Sequence, residues 1–384
     1  MTEIYLRKRL DMEIYFDHAA AARIFPCAIA AYAEACRESF ANAEAIHSMA
    51  YQVRTRIQNE QKAIAKALLS GEKNIEVIPV HSGSDGFRLF FHAFSQGAVV
   101  TSRAEHPALL ANFKRSGAAL RFVPLNSDGS ISLDAFDSLL DHTVKLVAIG
   151  HIQSETGRIQ PVEQLFELVR KKAPNALVFC DEVQSAGKIP IAEGSDLFLF
   201  SGHKIGAPTG GAMILRTRRA RETFSGKFSE FRHIEYLSGR VEAPLVAGLS
   251  AAIQMRSKEL TTALTTVSEL SSFLRTHLNN KKLPNGNLLT MTVPAEVASP
   301  YILHFSLPGY QSAVIVRMLS ARGIHVSSGS ACQAETDTPS IVLTAMGWKK
   351  EAAFSAIRLS LDIENTWEEC NHFLQVFEEV LQEY

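Results

Sequence analysis

Between Ile75 and Leu215 the chain alternates short, nearly uninterrupted apolar runs with stretches of helix-like period. Runs of Val, Ile, Leu and Phe without polar alternation are how strands buried on both faces read, so the pattern predicts a mainly parallel sheet covered by helices. Strands are expected at Ile75–Val80, Ala98–Thr101, Leu120–Val123, Val144–Ile149, Leu177–Cys180 and Leu197–Phe200, with helices such as Pro161–Lys172 between several of them. After Pro244 the pattern changes to a long helical run, Gly248–Asn279, followed by Ile302–Ser306, Val314–Arg322, Ile324–Ser328, Ala356–Leu361 and a closing helix near Thr366–Glu383. This reads as a second, smaller α/β domain. We place a large domain over 15–250 and a small one over 251–384, with residues 1–14 packing on the latter. No internal repeat or long Pro/Gly linker separates them, so firm packing through the helical run is expected.

Composition narrows the class of partner. A chain of 384 residues with 46% hydrophobic residues can bury a large core and a smaller one. A formal charge of −1, spread over mixed signs, lacks the basic excess that would draw nucleic acid or an anionic membrane. A small-molecule substrate or a protein partner is expected instead. Met1–Leu10 has no signal-like apolar core and no run reaches transmembrane length, which points to the cytoplasm. The five cysteines are odd in number, scattered and free of any Cys-x-x-Cys pair, which disfavours disulfides and zinc. Cys27, Cys36, Cys180 and Cys370 read as buried, structural thiols.

Ligands of open α/β sheets collect beyond the carboxyl ends of the strands. The polar residues there form a set: Ser82-Gly83-Ser84-Asp85-Gly86, Glu105-His106, His151 to Gly157, Asp181-Glu182-Val183-Gln184 and Ser201-Gly202-His203-Lys204. Lys204 is either an ordinary loop lysine or an amine kept nucleophilic by desolvation, as a Schiff-base lysine must be. Asp181, at the mouth of an apolar strand, is either a helix cap or the partner of a cation such as the protonated ring nitrogen of pyridoxal phosphate (PLP). In a PLP enzyme Gln184 could reach the ring's phenolic oxygen, and His106 is either an ordinary polar loop residue or an imidazole that stacks on the ring and handles protons. Ser84 and its neighbours would cradle a phosphate, with Ser201 and His203 as further donors. Near the C-terminus, Cys332 stands in a small, polar stretch, Ser327 to Gln333, that suits an accessible nucleophile. Arg358, inside an apolar run, wants a carboxylate, either a substrate's or a structural one.

On these residues the chain resembles the cysteine desulfurases, in the class V aminotransferase group of fold-type I PLP enzymes. The resemblance runs from about Tyr15 to Asp362. It is carried by Ser201-Gly202-His203-Lys204, Asp181-x-x-Gln184 with Ser185-x-Gly187-Lys188, Glu105-His106, and Ser327-Ser328-Gly329-Ser330-Ala331-Cys332. The stretch from Cys332 to Pro339-Ser340-x-Val342-Leu343 resembles the long-loop, iron–sulfur-assembly and nitrogen-fixation type. The resemblance implies a seven-stranded-type sheet in the large domain and a homodimer with its sites at the interface. It implies Lys204 as the PLP-linked lysine, His106 stacked on the ring, and Asp181 and Gln184 holding it. L-cysteine would be the substrate, with Arg358 on its carboxylate. Sulfur would pass to Cys332 as a persulfide and on to an acceptor protein, an iron–sulfur scaffold or a sulfur relay, leaving alanine.

Three positions depart from the family pattern. The phosphate turn Thr-Ser-Gly-Ala-Thr-Glu reads His81-Ser82-Gly83-Ser84-Asp85-Gly86 here. A carboxylate ~4 Å from the phosphate would repel it by ~4 kcal/mol at an effective dielectric of about 20, so Asp85 must be turned away or neutralised. The interface motif Arg-Ser-Gly-Thr appears as Leu237-Ser238-Gly239-Arg240, and Arg240 is the expected compensating charge, reaching across the dimer. Ser154 replaces an asparagine that normally touches the ring oxygen. A PLP lyase or aminotransferase acting on another amino acid, and a weakly active binding or regulatory paralogue, are the alternative readings.

Overall fold

The computed structural model describes residues 13–93, 97–224, 240–328 and 339–384. Its first strand, β1 (Ile14–Tyr15), stands apart from the main sheet, which is built from β2 (Glu76–Val80), β3 (Ala98–Ser102), β4 (Ala119–Val123), β5 (Val144–Gly150), β6 (Leu177–Asp181), β7 (Leu197–Ser201) and β8 (Gly211–Leu215). These seven strands lie in the order β2-β8-β7-β6-β5-β3-β4. All pairs from β7 to β4 are parallel, whereas β8 runs antiparallel to both β7 and β2. Alternate residues of β6 explain the unbroken apolar pattern: Val178 and Cys180 pack into one hydrophobic cluster, Leu177 and Phe179 into another on the opposite face. Each expected strand of the large domain is present within two residues. β8 was not expected, because Pro208-Thr209-Gly210 before it reads as loop.

The C-terminal part holds β9 (Thr290–Met291), β10 (Ile302–Ser306), β11 (Ile324–His325), β12 (Ser327–Ser328) and β13 (Ala356–Ser360). Four of them form an antiparallel sheet, β12-β13-β10-β9, while β11 pairs in parallel with β1. The helix Ala243–Leu278 joins the two parts: Leu245, Val246, Leu249 and Ile253 enter the large cluster, and Val267, Leu270, Leu274 and Leu278 the C-terminal one. The closing helix Trp367–Glu383 starts in a reciprocal capping box between Thr366 and Glu369, which satisfies two otherwise orphaned N–H groups. Among the described residues no helix is long and apolar enough to cross a membrane.

Cys180 and Cys370 are buried as expected, but Cys27 and Cys36 are exposed. Both lie on the helix Pro26–Glu38, whose buried positions are Ala28 and Ala35, so the thiols fall on its outward face.

Candidate active site

Because β3, β5, β6 and β7 run parallel, the residues following them gather at one end of the sheet. There Glu105, His106, Ser154, Glu155, Asp181, Gln184 and Lys204 line a single cavity of about 260 Å³, completed by Ala19, Ala20, Ile341, Val342 and Arg358. Lys204 sits on the helical turn Gly202–Ile205 directly behind β7. A Cβ on Gly202 would lie 2.4 Å from the Thr209 carbonyl oxygen, so only glycine lets the chain turn there. Lys204 Nζ donates to the carbonyls of Ala19, at 2.7 Å, and Ala20, at 2.5 Å. Gln184 Nε2 donates to the same Ala19 oxygen at 3.0 Å, and its Oε1 is buried without a hydrogen-bond partner among the described residues.

The electrostatics of the floor are those of a site made for a cation. Burial pushes the Asp181 carboxyl up to about 7, although the Val183 N–H donates to its Oδ1 at 2.9 Å and Lys204 is near. Burial pushes Glu105 up further, to about 8, even with Ser102 Oγ donating at 2.7 Å and the Gly150 N–H at 2.9 Å. Behind them Glu182 is held ionised: burial opposes it, but His151 Nδ1 at 2.9 Å, Ser185 and the Ala192 N–H outweigh the burial. His106 caps the helix Pro107–Ser116 through Nδ1, lines the cavity, and has its ring stacked on Phe87 at 6.2 Å between centroids. Desolvation and the Lys204 charge both lower its pKa, favouring neutral imidazole.

The residues fit PLP. A lysine amine, a buried carboxyl short of a cation and an orphaned Gln184 oxygen share the cavity with an imidazole. The residues expected to take the phosphate pack on one another but are not part of that cavity's lining: a Cβ on Gly83 would lie 3.3 Å from Ser201 Cβ, which places the Ser82–Ser84 turn against Ser201, whose Oγ meets His203 Nδ1 at 2.8 Å. Ser84 is exposed at the start of the helix Gly83–Ala93. Asp85 is neutralised by Arg88 at 3.0 Å, one helical turn on. That compensation was expected from Arg240, which instead pairs with Glu242 at 2.8 Å within the chain. Ser154 contributes its carbonyl, which accepts from Arg358 Nη1 at 3.0 Å. Arg358 Nη2 donates to Asp17 at 2.7 Å, while its Nε is buried without a hydrogen-bond partner among the described residues. So a structural aspartate does hold this guanidinium, and the guanidinium still faces the cavity. Cys332 lies outside the described residues.

A family model for class V aminotransferases matches residues 14–373. The chain belongs to the aminotransferase class-V family. Among its relatives in that family, a cysteine desulfurase IscS of Dictyoglomus turgidum is 26% identical over 97% of this chain and 95% of its own length. A cysteine desulfurase of Gluconacetobacter diazotrophicus is 29% identical, covering 94% of this chain and 92% of its own. Among solved structures, a NifS-like protein superposes with a TM-score of 0.83 at 27% identity, covering 97% of this chain and all of that one. The family's fold-type I architecture is therefore the one described above.

Asp17 and the Ala19 and Ala20 carbonyls join the site without having been singled out in the sequence, and Glu155, within the His151–Gly157 stretch, had been given no role there. Asp17-His18-Ala19-Ala20 directly follows the apolar Ile14–Phe16, so the strand-end rule that found the other groups would have found these. Glu105 offers a direct check on the buried acid. Its raised pKa means that the folded state holds a proton which the unfolded state releases near the ordinary carboxyl range, so stability from the neutral acid is full below that range and is lost as pH rises toward about 8. In Glu105→Gln, the amide keeps the Gly150 contact and cannot ionise. The stability of wild type relative to this variant should fall by up to ~1.4 kcal/mol per pH unit between about pH 4.5 and 8, read from urea midpoints of the two proteins. A flat difference would show that Glu105 is ionised in the fold.

Proposed function

We propose that this protein is a PLP-dependent cysteine desulfurase, which removes sulfur from L-cysteine to give L-alanine and a persulfide on Cys332. The single observation carrying this reading is the shared cavity in which Lys204, His106, Asp181 and Arg358 meet. PLP, when bound, supplies an aldehyde for the substrate amine and an electron sink for the charge left at Cα. The chain's residues do the rest. Asp181 would keep the ring nitrogen protonated, Gln184 would meet the ring oxygen, and Ser201, His203 and the Ser82–Ser84 turn would take the phosphate. Arg358, pre-aimed by Asp17 and the Ser154 carbonyl, would hold the substrate carboxylate with the donors left to it. Lys204 Nζ and the neutral His106 ring would carry protons to and from the substrate carbon. The Cys332 thiolate would attack the substrate sulfur, so that one C–S bond breaks, one S–S bond forms, and protons complete alanine.

The active unit would be a homodimer. Ile29, Phe40, Ile46 and Tyr51, from one continuous stretch of chain, are 52, 60, 103 and 65% exposed, an apolar surface that a second copy would cover. A sulfur-acceptor protein would discharge Cys332. The reading is tested by incubating the holoenzyme with L-cysteine and looking for one added sulfur atom on the Cys332 peptide by mass spectrometry. The added mass should appear on wild type and vanish in Cys332→Ser. Alanine release without sulfur on Cys332 would refute the persulfide role.

A further inference from the structure

The cavity has one wall that comes from far along the chain. Ile341 and Val342 line it, and both belong to the helix Ile341–Ala345. A helix of five residues is too short to hold itself together, so contacts to the rest of the protein must fix its place. Two do so. Leu343 is buried in a small cluster with Met346, Ala353 and Ala356. Ser340, the N-cap, accepts from the Leu343 N–H at 3.2 Å and donates its own hydroxyl proton to Glu155 Oε2 at 2.7 Å.

Glu155 is a firm post for that contact. Its backbone N–H is held by Gln153 Oε1 at 2.6 Å in a turn that Gly157 closes onto the Gln153 carbonyl. The carboxyl is buried, and its other oxygen, Oε1, has no hydrogen-bond partner among the described residues; it stands 3.9 Å from His304 Nε2, which has none among them either. His304 is fully buried, turns Nδ1 to Thr292 Oγ1 at 2.7 Å, and is kept neutral by desolvation, which drives its pKa down to about 3. Among the described residues, the Ser340 hydroxyl is thus the side-chain hydrogen bond that the Glu155 carboxyl makes.

We propose that Glu155 is a positioning residue that sets the width of the substrate side-chain pocket, by holding the Ser340 hydroxyl and with it the turn that presents Ile341 and Val342 to the cavity. The inference rests on the amino-acid substrate reading above and deepens it. An aliphatic wall held close to Arg358 and Lys204 selects a short, unbranched side chain with an apolar or soft substituent on Cβ. It rejects longer ones by overlap.

The test has two arms. In the first, amide hydrogen exchange is measured across 341–345 without added amino acid. Glu155→Ala should speed exchange there by ~10-fold, the effect of one lost buried hydrogen bond, whereas Glu155→Gln, which keeps an acceptor oxygen, should stay near wild type. In the second, the holoenzyme is titrated with L-alanine and with L-methionine, and apparent affinities are read from the cofactor absorbance. Wild type should prefer L-alanine. Glu155→Ala, and Val342→Ala as a direct opening of the wall, should each relax that preference by ~10-fold, and Glu155→Gln should not. Unchanged exchange in Glu155→Ala overturns the proposal. So does a relaxed preference in Val342→Ala that Glu155→Ala fails to reproduce. Wild type that responds to neither amino acid would sink the substrate reading itself, while the exchange arm still reports on the Ser340 contact.

Discussion

Alanine at position 204 should lower L-cysteine turnover by at least ~10²- to 10⁴-fold, the range lost when a positioned proton carrier is removed. The expectation follows from where the amine stands. Two backbone carbonyls hold Nζ beside Asp181, at the end of a strand packed on both faces, so a shift of the turn cannot bring another amine to the same place. The Lys204→Ala protein should still take up PLP, because Asp181, Gln184 and the phosphate donors remain. It should lose the absorbance band of the lysine-linked cofactor and show that of free aldehyde. Cys332→Ser is the comparison: it should keep the lysine-linked band and its response to L-cysteine yet form no persulfide. A Lys204→Ala enzyme that turns over within tenfold of wild type would contradict the assignment of the amine.

Much of this arrangement was legible in the chain because two physical regularities coincide. Strands buried on both faces cannot alternate polar with apolar residues, so β3, β6 and β7 stood out as continuous runs and β5 as one broken only at Lys145, whereas the edge strand β4 carries Arg121 and is largely part-exposed. Parallel strands send their following residues to one end, so Lys204, Asp181, Gln184 and His106 could be grouped without coordinates. What escaped was long-range or local in a way composition does not show. β8 begins at Gly210-Gly211 and pairs antiparallel, against the pattern around it. The Ala19 and Ala20 carbonyls that hold Lys204 lie 185 and 184 residues from it in sequence, and backbone acceptors leave no trace in residue type. Cys27 and Cys36 were misjudged because residue type was weighed without the helix face. The partner of Asp85 was readable: Arg88 stands three residues on in a helix, where side chains meet, and needs no second subunit.

The largest loss of stability should come from Arg256→Ala. Arg256, on the helix that bridges the two cores, has a side chain only 2% exposed and faces Asp362, at 4%. Nη1 and Nη2 each donate to one carboxylate oxygen, a bidentate pair, and Nε donates at 3.1 Å to the carbonyl of Ile205, the residue after Lys204. The guanidinium also lies 4.8 Å from the Phe25 ring centroid. One side chain therefore ties the lysine-bearing turn to the end of the C-terminal sheet. Removing it leaves a buried carboxylate that, among the described residues, keeps the Ile363 N–H at 2.8 Å and the nearby His18 and Lys188, and breaking such a pair typically costs ~3–5 kcal/mol. Replacing both partners with apolar residues, Arg256→Met with Asp362→Leu, should cost less than Arg256→Ala alone, because no charge is then stranded. The pH dependence follows with a definite sign. Burial pushes the Asp362 carboxyl up, but Arg256, Lys188 and His18 outweigh it and hold it well below the carboxylate range. Its contribution is present above the ordinary carboxyl pKa and is lost as pH falls below it. The gap in urea midpoint between wild type and Arg256→Ala should therefore be widest near neutrality and close below about pH 4. A gap that stays constant down to pH 3 would mean that packing against Phe25, and not the ion pair, carries the stability.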